Sequence, residues 1–174
     1  MKPETVQISD EDLTCPQDRI SCSVKEIDGR VAIDLETYIP GFLSTINNAL
    51  SRGASQQYRE QFGIGIVDWR VISMLAIEPK IPAVRIGEVI CTDKGQISRA
   101  LLKLSELELV ESEIVSADIR KKNWWLNDAG YALHAQILEL AVEREKQLIN
   151  GCNSEDIEAF LRVARTMKRN LSNF

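Results

Sequence analysis

One histidine, His134, stands in 174 residues, and the four cysteines, Cys15, Cys22, Cys91 and Cys152, include no CxxC pair. A zinc centre therefore lacks its usual ligands, and no metal site is expected. Reduced, unpaired thiols are the expectation, with Cys15 and Cys22, in a polar segment, the candidates for an oxidation sensor. No nucleophile or partner acid stands at a supporting spacing from His134, so neither an enzyme nor a cofactor is expected. Glycine forms no phosphate-binding loop: FGIGI at residues 62–66 is a GxG without its third glycine, between two helical patterns. It reads as a helix stop and not as a nucleotide-binding loop. No window approaches the ~18 unbroken apolar residues of a membrane span. The polar start MKPETVQISDED lacks the features of a signal peptide, so a cytoplasmic protein without a membrane partner is expected.

What is present is ordinary in bulk. With 44% hydrophobic and 27% charged residues, the chain suffices for one well-cored domain with one extension. The net charge of -5 argues against diffuse coating of nucleic acid, although a local basic face on an acidic dimer still binds phosphate. Residues 1–30 are acidic, interrupted by Pro3, Pro16 and Gly29, and read as a flexible arm. From Ala32 to about Phe62 a helical pattern runs through Leu35, Ile39, Phe42, Leu43, Ile46, Leu50 and Tyr58, with Pro40 marking a kink or the true first turn. Apolar residues on more than one side of so long a helix imply cover by a second copy of the chain. Another helix follows at residues 67–75 (VDWRVISML), with Trp69, Ile72 and Met74 or Leu75 inward, and Glu78, Pro79 and Pro82 end it.

The informative stretch comes next. Residues 82–90 (PAVRIGEVI) bury Val84, Ile86, Val89 and Ile90 as a short amphipathic helix, and residues 91–104 (CTDKGQISRALLKL) follow after a tight connection. There Ile97, Ala100, Leu101 and Leu104 recur at three and four residues and line one buried stripe. Asp93 with Gln96 forms a capping box at the helix start. Gly95 and Arg99 point outward, flanked by Gln96, Ser98 and Lys103, with no carboxylate before Glu106. Such a face suits an anionic partner, and two helices joined so closely cross steeply, as in a helix-turn-helix. Behind them, residues 109–115 alternate as a strand with Val110, Ser112 and Ile114 on one side. Residues 116–119 turn, and residues 121–126, with Trp124 and Trp125, return. The tip and return strand carry Arg120, Lys121 and Lys122 in a row, either a solvated turn or the basic tip that groove and backbone contact requires.

Together these residues resemble the MarR family of winged-helix transcriptional regulators. The match spans residues 66–130: WRVISML, the helix-turn-helix, DKGQISRALLKL, and a wing pattern of Asp118, Arg120 and Leu126 before a final helix at Asn127 and Gly130. The resemblance implies that Gln96, Ser98, Arg99 and Lys103 face the major groove, Lys94 the phosphates and Arg120 the minor groove, with Asp118 orienting basic side chains. It implies a mainly α fold with a small β-wing: a single domain over residues 31–174, with a winged helix-turn-helix head at 66–126 and dimerisation helices at 31–65 and 127–174. Cys91 and Glu108 stand where the family has glycine. A non-glycine residue at positive φ costs about 1 kcal/mol, so both turns are expected to be built differently here. The closing helices run through Leu133, Ile137, Leu140, Ala141 and Leu148 and then, after a cap at Ser154, through Ile157, Phe160, Leu161, Ala164, Met167 and Leu171. Their apolar faces are the expected dimer interface, where His134 packs or caps.

The expected function is DNA-binding transcriptional regulation by a ligand-responsive repressor, bound as a homodimer to an inverted-repeat operator in double-stranded DNA. Family resemblance implies a small-molecule effector, often a phenolic or aromatic acid. Residues 51–70 (SRGASQQYREQFGIGIVDWR) also resemble members that sense hydroxycinnamates or their CoA thioesters. Arg52, Tyr58, Trp69 and Arg70 are candidates for a carboxylate or phosphate clamp and an aromatic wall. The alternative places Trp69 in the core and leaves the arginines solvated. A redox-sensing regulator working through Cys15 or Cys22, and a winged helix that serves only to bind another protein, also remain open.

Overall fold

A computed structural model describes residues 19–115 and 122–171. The chain divides into two compact units, residues 1–61 and 62–174. In the first, β1 (Val24–Ile27) and β2 (Arg30–Ile33) pair antiparallel, Val24 opposite Ile33 and Ile27 opposite Arg30. Asp28 and Gly29 take φ of 52° and 72°, the left-handed pair that a two-residue hairpin turn requires. Residues 24–33, expected as the end of an arm and the start of a helix, are thus a hairpin, because the Asp-Gly turn and β-branched neighbours outweigh the loose helical pattern. Local bonds hold its base: Arg19 donates to Ser23 Oγ at 2.9 Å and to the Thr37 carbonyl at 2.9 Å, and Lys25 pairs with Asp34 at 3.2 Å. The helix α1 (Ile39–Phe62) begins only afterwards, with Pro40 in its first turn, where the missing N–H has no intrahelical partner to lose. On α1, Ala54, Ser55 and Tyr58 are buried while Phe42, Leu43 and Ile46 stand exposed. Cys22 is disulfide-bonded, contrary to the reduced state expected for it, whereas Cys91 and Cys152 are free. The state of a thiol depends on what folding brings near it, which spacing alone does not reveal. Cys15 and the rest of residues 1–18 lie outside the described residues.

The second unit contains α2 (Ile66–Ile77), β3 (Ile81–Pro82), α3 (Ala83–Ile90), α4 (Lys94–Glu106), β4 (Val110–Ile114), β5 (Lys122–Leu126), α5 (Asp128–Leu148) and α6 (Ser154–Asn170). Its core is centred on α2, which packs on α3, α4, α5 and β5 through Val71, Ile72 and Leu75, all buried along with Ile86, Ile97, Leu104 and Ile137. Gly63, at φ 70°, turns the chain out of α1, and Gly65 caps α2 with its N–H given to Asp68 Oδ2 at 2.9 Å. The sheet has the order β3-β5-β4, with Ile81 opposite Trp124 and Val110 opposite Leu126. The hairpin is where the sequence places it, and β3 adds an unexpected third strand of two residues. Asn127 caps α5 by accepting from the Gly130 N–H at 2.9 Å. The cap of α6 is Asn153, which accepts from the Asp156 N–H at 2.8 Å, and the expected cap Ser154 is the first helical residue. Among the described residues the fold is mainly α with a small β-wing, and no helix is long and apolar enough to cross a membrane.

Candidate nucleic-acid interface

Three residues separate α3 from α4. Cys91 ends α3 in the left-handed conformation, φ 52° and ψ 51°, with its N–H given back to the Gly87 carbonyl. Glu108, after α4, takes φ 55°. Both turns therefore keep the backbone that glycine supplies most easily, contrary to the expectation that they would be rebuilt. Neighbouring bonds impose it: Thr92 N–H donates to the Gly87 carbonyl at 3.0 Å, Leu109 N–H to the Leu104 carbonyl at 2.9 Å, and Asn127 Nδ2 to the Glu108 carbonyl at 2.7 Å.

Beyond the first turn, the α4 N-terminus is fixed by Asp93, whose carboxylate accepts from the Gln96 N–H at 3.0 Å. The Gln96 side-chain amide also donates to that carboxylate instead of reaching back to the Asp93 backbone as a capping box would have it. The Gln96 backbone bond, then its side-chain bond, hold the Asp93 carboxyl below the usual carboxylate range, with the nearby Arg99 charge adding to them. Ile97, Ala100, Leu101 and Leu104 are buried as their spacing predicts. Lys94, Gly95, Gln96, Ser98 and Arg99 are exposed, and so is Leu102, at 61%. Helical spacing does not single out Leu102 as a functional residue, yet it is the one leucine of this helix that falls outside the buried stripe.

Lys103 does not join that face. Its Nζ donates to the Gly63 carbonyl at 2.9 Å and to Asp68 Oδ2 at 2.8 Å, so it turns toward the start of α2. A partner 35 positions earlier in the chain is not visible in helical periodicity, which is why spacing alone put Lys103 with Arg99.

A cleft of about 850 Å³ runs between α3, α4 and β5, lined by Val84, Leu101, Leu102 and Trp124, with Lys94 and Lys122 among its polar groups. Val84, expected inside, is 62% exposed, and only Ile86 on α3 is fully buried, with Val89 and Ile90 half-covered. An eight-residue helix crossing α4 covers one narrow stripe, and Val84 falls on its edge. Lys122 Nζ stands 5.7 Å from the Trp124 ring centre. On the other face of the sheet the Trp125 indole donates to Glu111 at 3.0 Å and Lys80 lies 5.4 Å from the ring centre. Arg120 and Lys121, with Asp118, lie outside the described residues.

Of the candidate effector residues, Arg52 is exposed and Tyr58 buried on α1, in the first unit, while Trp69 and Arg70 are half-buried on α2, in the second. Trp69 stacks on His134 of α5, ring centres 5.3 Å apart and planes 24° from parallel, so the only histidine packs within the second unit. Among the described residues no group of three or more metal-ligating side chains comes together.

No protein-family model matches this chain, and no curated protein does. Solved structures do. A MarR/EmrR family transcriptional regulator from Acinetobacter sp. ADP1 is similar at a TM-score of 0.75 and 25% identity, over 82% of this chain and 100% of its own. The S. aureus MepR–DNA complex gives a TM-score of 0.67 at 19% identity, over 79% of this chain and 99% of its own. The PcaV transcriptional regulator from Streptomyces coelicolor, in complex with its natural ligand, gives 0.66 at 16% identity, over 79% and 96%.

Proposed function

We propose that this chain, whose fold is that of the MarR-family transcriptional regulators, is a repressor that binds an inverted-repeat operator as a homodimer and leaves it on taking up a small aromatic acid or its CoA thioester. The observation that carries the reading is α4: Lys94, Gln96, Ser98 and Arg99 stand exposed on one helix with no carboxylate from Lys94 to Ser105, beside a wing that resumes at Lys122. Glutamine and arginine pair bidentately with adenine and guanine edges, serine suits either, and Leu102 suits a thymine methyl. Lys94 and Lys122 fit phosphates, and the family resemblance implies Arg120 at the minor groove, with Lys121 beside it on the basic wing tip. Two structures of this fold contain DNA and another its natural ligand.

A second copy is favoured by the apolar surface exposed among the described residues. The 17-residue α6 has no buried residue and exposes Phe160, Leu161 and Val163, while α1 exposes Phe42, Leu43 and Ile46. A twofold dimer sets its two reading helices about 34 Å apart, one turn of duplex, and occupancy there blocks transcription. The effector, for which Arg52 and Tyr58 of the first unit and Trp69 and Arg70 of the second are each candidate contacts, acts by favouring a head spacing that no longer fits. The test is a gel shift on the DNA upstream of the chain's own coding region, titrated with aromatic acids and their CoA thioesters. A salt-sensitive retarded band, lost in Arg99→Glu and released by one ligand class, is expected; no retardation of any duplex at low ionic strength overturns the reading. A second reading, thiol control of the same DNA binding, is favoured by the Cys22 disulfide. It predicts that a dithiol reductant changes affinity in the native chain and not in Cys22→Ser.

A further inference from the structure

The lysine that leaves the exposed face of α4 makes two polar contacts within the second unit. Lys103 Nζ bridges two acceptors: the carbonyl of Gly63, the left-handed residue that follows α1, and Asp68 Oδ2 on α2. The same Asp68 oxygen accepts the Gly65 N–H at 2.9 Å, so one carboxylate both caps α2 and anchors α4. Asp68 is only 8% exposed, and its side chain keeps 12% of its surface against 41% for Lys103. If Lys103 moved to a phosphate, that nearly buried carboxylate would lose its only ion pair among the described residues, at a cost larger than an exposed phosphate contact returns. The C-terminal half of α4 is therefore pinned to the corner formed by Gly63, Ile64 and Gly65.

Resting on the reading of α4 as the DNA-reading helix, we infer that Lys103 and Asp68 are a positioning pair: they set the pose of α4 for the groove, and Lys103 itself does not touch DNA. Any rearrangement of the Gly63–Gly65 corner is carried to α4 through this pair, because both acceptors of Lys103 belong to that corner or to the helix it starts. Lys103 then differs from Lys94, Ser98 and Arg99 in the kind of effect its loss has, and not merely in degree.

The test compares duplex binding of the full-length native chain, Asp68→Asn, Lys103→Met and the double variant across a range of salt concentrations. Asp68→Asn keeps an oxygen for the Gly65 N–H and removes the charge. As a positioning pair, each single variant weakens binding roughly fivefold, the double is no weaker than either single, and the slope of log affinity against log salt stays that of the native chain. As a phosphate contact, Lys103→Met flattens the slope by about one counterion, and Asp68→Asn, by freeing the lysine, tightens binding; either result overturns the inference. A purely structural role lowers the urea midpoint of Lys103→Met while the folded protein binds DNA as the native chain does, which also overturns it. Should Lys103→Met fail to fold, the sign of the Asp68→Asn effect decides. A native chain that ignores all duplexes sinks the DNA reading and this inference together; a native chain that binds while Asp68→Asn binds as well or better sinks the inference alone.

Discussion

Gly130 lies so close to the Leu109 carbonyl that an added Cβ would overlap its oxygen, stand 3.2 Å from its carbon and 3.2 Å from Leu126 Cβ. The crowding arises because Asn127 ties the start of α5 to the end of α4, its N–H given to the Leu109 carbonyl and its Nδ2 to Glu108. Gly130→Ala meets its severest overlap at backbone that cannot swing aside, and it should destabilise the fold by about 3 kcal/mol, read as a lower urea midpoint. An unchanged midpoint would mean that the α4–α5 junction is looser than described. The sequence offered this glycine only as part of a resemblance, since close approach to a backbone 21 positions away leaves no local mark. Lys103 shows the same limit from the polar side: its place near the exposed face was readable from helical spacing, its engagement with Gly63 and Asp68 was not.

The elements that announce themselves are those whose pattern is local. The buried stripe of α4, the start of α2 after the glycines, the wing strands and the long α5 all follow from apolar spacing and turn residues. What escaped depends on distant partners or on very short segments: β3 is two residues that become a strand only against Trp124 and Asn123, and β1 with β2 is a hairpin of four-residue strands around Asp28 and Gly29. The two turns of the helix-turn-helix and wing are the instructive case. Cys91 and Glu108 adopt left-handed backbones despite their side chains, because the bonds around them leave no other path. Removing the side chain should relieve the strain, so Cys91→Gly and Glu108→Gly are each expected to stabilise the protein by up to about 1 kcal/mol. Calorimetry measures this, and a lower melting temperature in both variants would show that the turns carry no strain.

At the scale of the molecule, a chain of net charge -5 presents a helix face of lysine, glutamine, serine and arginine, and among the described residues α1 and α6 each expose large apolar side chains, Phe42 and Leu43 on the one and Phe160 and Val163 on the other. The homodimer proposed above would account for both features, covering apolar surface and doubling the contact with a duplex. The most direct test is selection of binding sites from a random pool of duplexes by the purified full-length chain at low salt. The account predicts enrichment of inverted repeats whose half-site centres lie about 10 base pairs apart. Enrichment of no sequence, or of single asymmetric sites, would contradict it.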